Sequence, residues 1–273
     1  MKIAVAIAAL ALAPVAAAAT PAQIAADLSH QRVANGIPGG IQLDQGWTRG
    51  CQHHIRYDEL NGIAWTHQEV PGKPGYTKDG SIAGAAGDQA YTHSWDQGNP
   101  FENLPLHLAS LLAPALQKVG AYESGPRVCI EISLGYTRQY TKNQVFSYPG
   151  PGTGGVPTSQ TVHGEWPASP GDVVGMPQGT THGPTIYVFS AGPWIAEQPL
   201  HITAAHLRSR SGPVAIRIVD PTVHAKIKPY VAIGTFFLIP LSPLSPQTTY
   251  TASATVRSKA GTTITKTWSF RTS

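Results

Sequence analysis

Seven consecutive residues, Pro149-Gly150-Pro151-Gly152-Thr153-Gly154-Gly155, divide this chain of 273 residues. Proline has no amide hydrogen to give a helix or an inner strand, and glycine loses the most backbone entropy when held. Such a cluster therefore reads as a linker or turn and interrupts any regular element. The patterns on its two sides differ. Before it, Ile24, Ala25, Leu28 and Val33 suggest a helix over 22–35, with Arg32 on the other side and Gly36 as its end. A second helix opens at an Asp44 cap, runs through Trp47, Cys51, His54 and Ile55 to about Leu60, and stops at Asn61-Gly62. Residues 66–100 read as a long ordered loop. A third helical stretch covers 104–117, interrupted by Pro114, and 128–134 alternates as a strand does. Beyond the cluster come short runs rich in Thr, Val and Ile at 185–189, 200–207, 214–219, 235–239, 250–256 and 262–270. The last two form the clearest hairpin, and the set argues a β-sandwich. The 28 glycines and 24 prolines exclude a helical bundle, and a charged fraction of 12% excludes a coiled coil or an acidic disordered chain.

The first residues read differently from the rest. Lys2, the apolar stretch 3–13, Pro14 and the small residues 16–19 describe a secretory signal peptide, residues 1–19, cut near Ala19 or Thr20. The alternative, an uncleaved anchor, has too short an apolar run to span a bilayer. No cysteine sits at the cut, which argues against a lipoprotein. The expected location is secreted or periplasmic. In an oxidising compartment Cys51 and Cys129 most simply pair; the alternative is two buried thiols. Neither has the spacing of a redox or zinc motif.

Charge also divides the chain. Residues 20–149 carry 11 acids and 9 bases, and residues 150–273 carry 4 acids and 9 bases, so the basic pI near 9 comes from the second half. The bases are scattered singly rather than clustered with stacking aromatics, which reads as a solvated basic surface and not a nucleic-acid site. No internal run is long enough for a transmembrane segment. The expected partners are cell-envelope components or a small apolar ligand.

Several short stretches of the first half resemble the bacterial secreted branch of the CAP superfamily, which takes in cysteine-rich secretory proteins, antigen 5 and pathogenesis-related protein 1. They are His30-Gln31-Arg32 through Gly36-Ile37, Leu43-Asp44-Gln45-Gly46-Trp47, Cys51-Gln52-His53-His54, Thr66-His67-Gln68-Glu69, and Leu104-Pro105-Leu106-His107 through Val119-Gly120. The last is the most specific, because a His, a Pro and a Val-Gly fall at the family's offsets. The match covers about residues 22–137. The second half looks like bacterial immunoglobulin-like domains, from 148–157 at its opening and from 244–250 and 266–272 at its close. The resemblance implies an α+β chain. A CAP-type α-β-α layered domain would occupy 20–144, and an all-β immunoglobulin-like sandwich 145–273.

The resemblance also implies a cleft of two His and two acids. His67 and His107 carry over. Asp88 in Gly87-Asp88-Gln89 takes the place of the first Glu, one methylene shorter. The second Glu falls at Leu104, which has no carboxylate, while Glu102 is near in sequence but aimed elsewhere. Two imidazoles and an aspartate can hold a divalent metal such as zinc with positions open. Glu69 and His54 complete the expected binding set. No H-E-x-x-H or G-x-S-x-G occurs. The expected function is an extracellular binding module whose His-based cleft holds a divalent metal or small ligand. The alternative is a metal-assisted hydrolase acting on peptide or cell-wall material. The third option is envelope adhesion through the basic half. Trp166, Trp194 and Trp268 read as packing residues rather than a sugar platform.

Overall fold

The computed structural model describes residues 18–273, so all but the last two alanines of the expected signal peptide lie outside the described residues. Thr20 opens the first helix, α1 (Pro21–Ala34), with a capping box to Gln23. Its buried residues are Ile24, Ala25, Leu28 and Arg32. The expected phase is thus corrected. Arg32 lies four residues after Leu28, on the same face, and is fully buried, whereas Val33 falls off that face and is 61% exposed. Burial of Arg32 is compensated by five main-chain carbonyls, of Pro38, Leu111, Ala113, Pro114 and Leu116, to which its guanidinium donates.

β1 (Gln42–Leu43) leads into α2 (Gln45–Leu60), where the Asp44 carboxylate accepts from the amides of Gly46 and Trp47. The expected loop over 66–100 contains α3 (Lys78–Ala86), capped by Thr77, and β2 (Gly87–Tyr91). Gly80, Ala83 and Gly84 are buried there because α3 lies close against α2. A helix built of such small residues shows little apolar period. The third helix is shorter than 104–117. It is α4 (Pro105–Leu112), and Pro114 follows its end. β3 (Lys118–Ser124) and β4 (Arg127–Glu131) complete a front sheet of order β1-β3-β4-β2, with β1 parallel to β3 and the other pairs antiparallel. Alternation along its strands sends Val119, Ala121, Val128 and Ile130 to one core, with α1 and α4. It sends Cys129, with Tyr122 packed against it, to the other face under α2, where Cys129 is joined to Cys51 by a disulfide.

The remaining chain is β5 (Gln144–Tyr148), β6 (Gln160–Thr161), α5 (Pro170–Val173), β7 (Thr181–His182), β8 (Ile186–Ala191), β9 (Leu200–Ser209), β10 (Gly212–Val214), β11 (Ile216–Val219), β12 (Thr235–Pro240), β13 (Thr249–Ser258) and β14 (Thr263–Arg271). Strands β11-β12-β8-β5 form a middle sheet and β10-β9-β13-β14 a back sheet; β6 and β7 pair separately. Ile186, Val188, Phe236 and Leu238 meet Tyr250, Val256, Trp268 and Phe270 between the two sheets. The alternate residues of the middle sheet, Tyr187, Phe189, Phe237 and Ile239, join the core of the first half with Leu106, Leu108 and Leu111. Both faces of the middle sheet are therefore buried, and α4, buried along its whole length, lies in the core that the two halves share.

The segment 149–155 is pinned rather than free. Asn35 accepts from the Gly150 amide, the Trp268 indole donates to Pro149, and the Gly152 amide donates to Ser269. A side chain at Gly150 would collide with the backbone of Asn35, which accounts for glycine at that position.

The CAP-type α-β-α layered domain, and with it the α+β class as expected, is corrected. The described chain is dominated by sheets, with more strand than helix, and one face of the first half is walled by a sheet of the second. The misreading came from taking the helical periods of 22–60 and 104–117 as evidence of a self-contained layer. Three of the five α-helices among the described residues, α3, α4 and α5, are short, and the apolar faces of α4 are satisfied by strands that come later in sequence.

Candidate functional site

His67 sits in the loop after α2, and that loop is fixed by a buried pair. His54 faces Glu69 through Nδ1 at 3.0 Å and the Thr66 carbonyl through Nε2 at 2.8 Å. Glu69 also accepts from the Thr77 amide at the start of α3. Both ring nitrogens of His54 thus face acceptors, and both side chains are fully buried. The structure gives His54 and Glu69 to this internal bracket, outside the cleft.

The bracket delivers His67 to the backbone of α3. Its Nδ1 donates to the Gly84 carbonyl at 2.8 Å, and its Nε2 is buried without a partner. A side chain at Gly84 would collide with the His54 ring, so this position is glycine for close approach. His107, on α4, is held by a residue from the second half. Glu165 accepts from both its amide and its Nδ1, each at 2.9 Å. The two imidazoles lie with ring centroids 6.1 Å apart and planes within 17°. Asp88 shares the inner face of the front sheet with its register partner Ile130, and it accepts from the hydroxyl of Ser110, also on α4. Glu102 lies elsewhere, accepting from the Tyr148 hydroxyl at 2.9 Å.

The electrostatics separate these groups. Burial pulls the His67 pKa below its ordinary value, and the neighbouring His107 and His54 add to this against the Gly84 bond. Burial also opposes charge on His107, but the bond and charge of Glu165, with Asp88, outweigh it and raise its pKa. Asp88 is pushed up to about 7 by burial, against the attraction of His107 and the Ser110 bond, with Glu165 adding repulsion. The lowered pKa favours the uncharged imidazole of His67, and the raised pKa of Asp88 favours its protonated form relative to an ordinary carboxylate.

His67, Asp88, His107 and Ser110 line a cavity of about 940 Å³ between the first half and the sandwich. Trp166 lies in its wall with its ring 5.0 Å from that of His67, and Tyr230 is 4.9 Å from Trp166. The packing expectation holds for Trp194 and Trp268, which are buried, but Trp166 is 45% exposed. Glu165, Tyr230 and Ser110 were missed by sequence reasoning, and Trp166 was assigned to packing. The one available signal was Glu165-Trp166, an acid in a half with only four acids, next to an aromatic.

Among the described residues, no group of three or more His, Cys, Asp or Glu side chains is arranged to hold a metal ion. The fit to a metal rests on two imidazoles. Each has its Nδ1 occupied by an oxygen acceptor, the arrangement that fixes tautomer and ring orientation in ligating histidines. Further coordination positions would fall to water or to a bound molecule.

No family model matches the chain, and no curated protein matches it. Solved structures align with part of it, two of which are the following. The selenomethionine form of PcoC, a copper resistance protein from Escherichia coli, is 17% identical over 46% of this chain and 95% of its own, with a TM-score of 0.27. A DUF4426 family protein from Pseudomonas aeruginosa PAO1 is 14% identical over 49% of this chain and 90% of its own, with a TM-score of 0.30. Similarity at that level carries no argument about function. The CAP resemblance is corrected here: no family model matches the chain, and the fold described above has no CAP-type layered domain. The matching residues have local explanations, since Arg32 clamps carbonyls and His54 and Glu69 bracket a loop. Among the described residues no helix is long and apolar enough to cross a membrane.

Proposed function

We propose that this is an exported binding protein whose composite cleft takes a small ligand, with His67 and His107 as its polar floor and able to share a divalent ion such as zinc. One observation carries the reading. Two imidazoles from separate elements converge in one cavity, each with Nδ1 engaged, and the Nε2 of His67 is buried and unpartnered. An unsatisfied buried nitrogen costs about 1–3 kcal/mol, which an ion or a ligand donor would recover. Asp88 supplies nearby negative charge when ionised, but its oxygen is engaged by Ser110. With two protein ligands, binding is weaker than at a three- or four-ligand zinc site. Titration calorimetry with zinc on the folded wild type is expected to saturate at one ion per chain, and to lose that heat in His67→Ala and in His107→Ala. Equal heats from all three proteins would remove the metal from the reading.

The second reading, a hydrolase of peptide or cell-wall material, is favoured by one feature. His107 is backed by Glu165 and lies beside Asp88, an acid held near neutral pH, which resembles a base and an acid with separated tasks. Turnover of a peptide or peptidoglycan substrate that falls in Asp88→Asn supports it; inactivity across a broad panel rejects it.

A further inference from the structure

We propose that the mouth of the cleft is a saccharide platform built by Trp65, Trp166 and Tyr230, taking a neutral oligosaccharide. This goes beyond the imidazole pair and requires no ion. The three rings are 44%, 45% and 43% exposed, although Trp194 and Trp268 of the same chain are fully or almost fully buried. They are also contiguous. Trp65 meets the His67 ring at 5.7 Å edge-on, Trp166 meets the same ring at 5.0 Å, and Tyr230 meets Trp166 at 4.9 Å. Leaving large aromatic faces together in water forgoes about 25 cal/mol for each Å² that burial would recover, and a contiguous exposed patch of this kind marks a binding surface.

The platform is held in place. The residue before Trp166 is Glu165, whose two bonds to His107 tie this loop to α4. Trp166 therefore presents its ring from an anchored backbone and not from a free tip.

The character of the cavity selects the ligand. Apart from histidines, Asp88 and Arg138 are the only charged residues among its described lining, and Asp88 is engaged by Ser110. Neutral hydrogen-bonding side chains, Gln139 and Gln198 among them, line the same cavity as Trp166 and Tyr230. A pyranose offers a flat C–H face to an indole and hydroxyls to amides, which is that combination. A quaternary ammonium would want rings spaced around an empty centre, whereas Trp166 and Tyr230 fill each other's edges at 76°. A purely aliphatic chain would leave the amides unused. The volume of about 940 Å³ is at the upper end of small-molecule sites and has room for several sugar rings.

The test is titration of the full exported chain with chitotetraose, cellotetraose and maltotetraose, followed by calorimetry and tryptophan fluorescence, with co-sedimentation on insoluble peptidoglycan alongside. One glycan is expected to bind, about ten-fold more weakly to Trp166→Ala, the equivalent of 1.4 kcal/mol, with partial recovery in Trp166→Phe. No binding to any of these glycans, or unchanged affinity in both Trp166→Ala and Tyr230→Ala, overturns the proposal. Saccharide binding without a zinc response leaves it standing and refutes only the metal reading.

Discussion

Arg32 shows what a single buried cation can do when its partners are main-chain carbonyls and not an acid. Its guanidinium satisfies carbonyls at the end of α4 and in the turn after it, where the helix dipole also favours a cation. Replacing it with methionine keeps the volume and leaves those carbonyls without their donor. Arg32→Met is expected to lose about 3–5 kcal/mol in urea unfolding. A loss under 1 kcal/mol would mean that other donors or water take over. The same scale explains the sequence misreading. An arginine on a helix is ordinarily assigned to solvent, and nothing local in 22–35 announces five acceptors supplied by residues 38 and 111–116. The histidines divide in the same way. His54 and His67 look alike in sequence, yet one has both nitrogens spent on its own scaffold and the other keeps one free.

Elements are joined here by covalent and electrostatic contacts with different conditions of failure. The disulfide ties α2 to β4 across 78 residues of sequence. In the chain-entropy account a loop of that length is worth about 4–5 kcal/mol. Reduction under native conditions is expected to lower the unfolding midpoint sharply, and Cys51→Ala/Cys129→Ala should match the reduced protein; an unchanged midpoint would contradict this. Glu131, on β4 beneath α2, is raised to about 7 by burial, with Asp44 and Asp79 adding repulsion against a Ser133 bond. Because its folded pKa is the higher one, its contribution is complete below the ordinary carboxylate range and is lost as pH climbs through about 7. Wild-type thermal stability should therefore fall between about pH 5 and 7.5, and Glu131→Gln should flatten part of that fall. Identical slopes would show that Glu131 does not contribute. The strands at 186–191 and 235–240 were legible as strands. Their continuous apolar runs, Ile-Tyr-Val-Phe and Thr-Phe-Phe-Leu-Ile, also carry the signature of burial on both faces, which alternation alone does not predict.

At the scale of the whole molecule, the shared core and the composite cleft have one origin. The middle sheet closes over α4, and the loop carrying Glu165 and Trp166 comes with it. Residues 20–144 expressed alone would expose Leu106, Leu108 and Leu111 to water and leave His107 without Glu165. That fragment is expected to aggregate or bind a hydrophobic dye, and a soluble, cooperatively unfolding fragment would argue against a shared core. The cleft follows the same logic, since the first half supplies its imidazole floor and the second half supplies Trp166 and Tyr230 in its wall.

Local chemistry was readable directly from the sequence because its causes lie within a few residues. The Asp44 cap, the stop at Asn61-Gly62 and the strand runs of the second half are all of this kind. His67 and His107 were singled out only through the offsets of a family resemblance that is corrected above. What the second half does to the first was decided only in three dimensions. Glu165 reaches His107 across 58 positions, Trp166 joins His67, and a buried sheet takes the place of an expected layer. Those pairings depend on which apolar faces find each other in the folded chain, and side chains far apart in sequence carry no local trace of that choice.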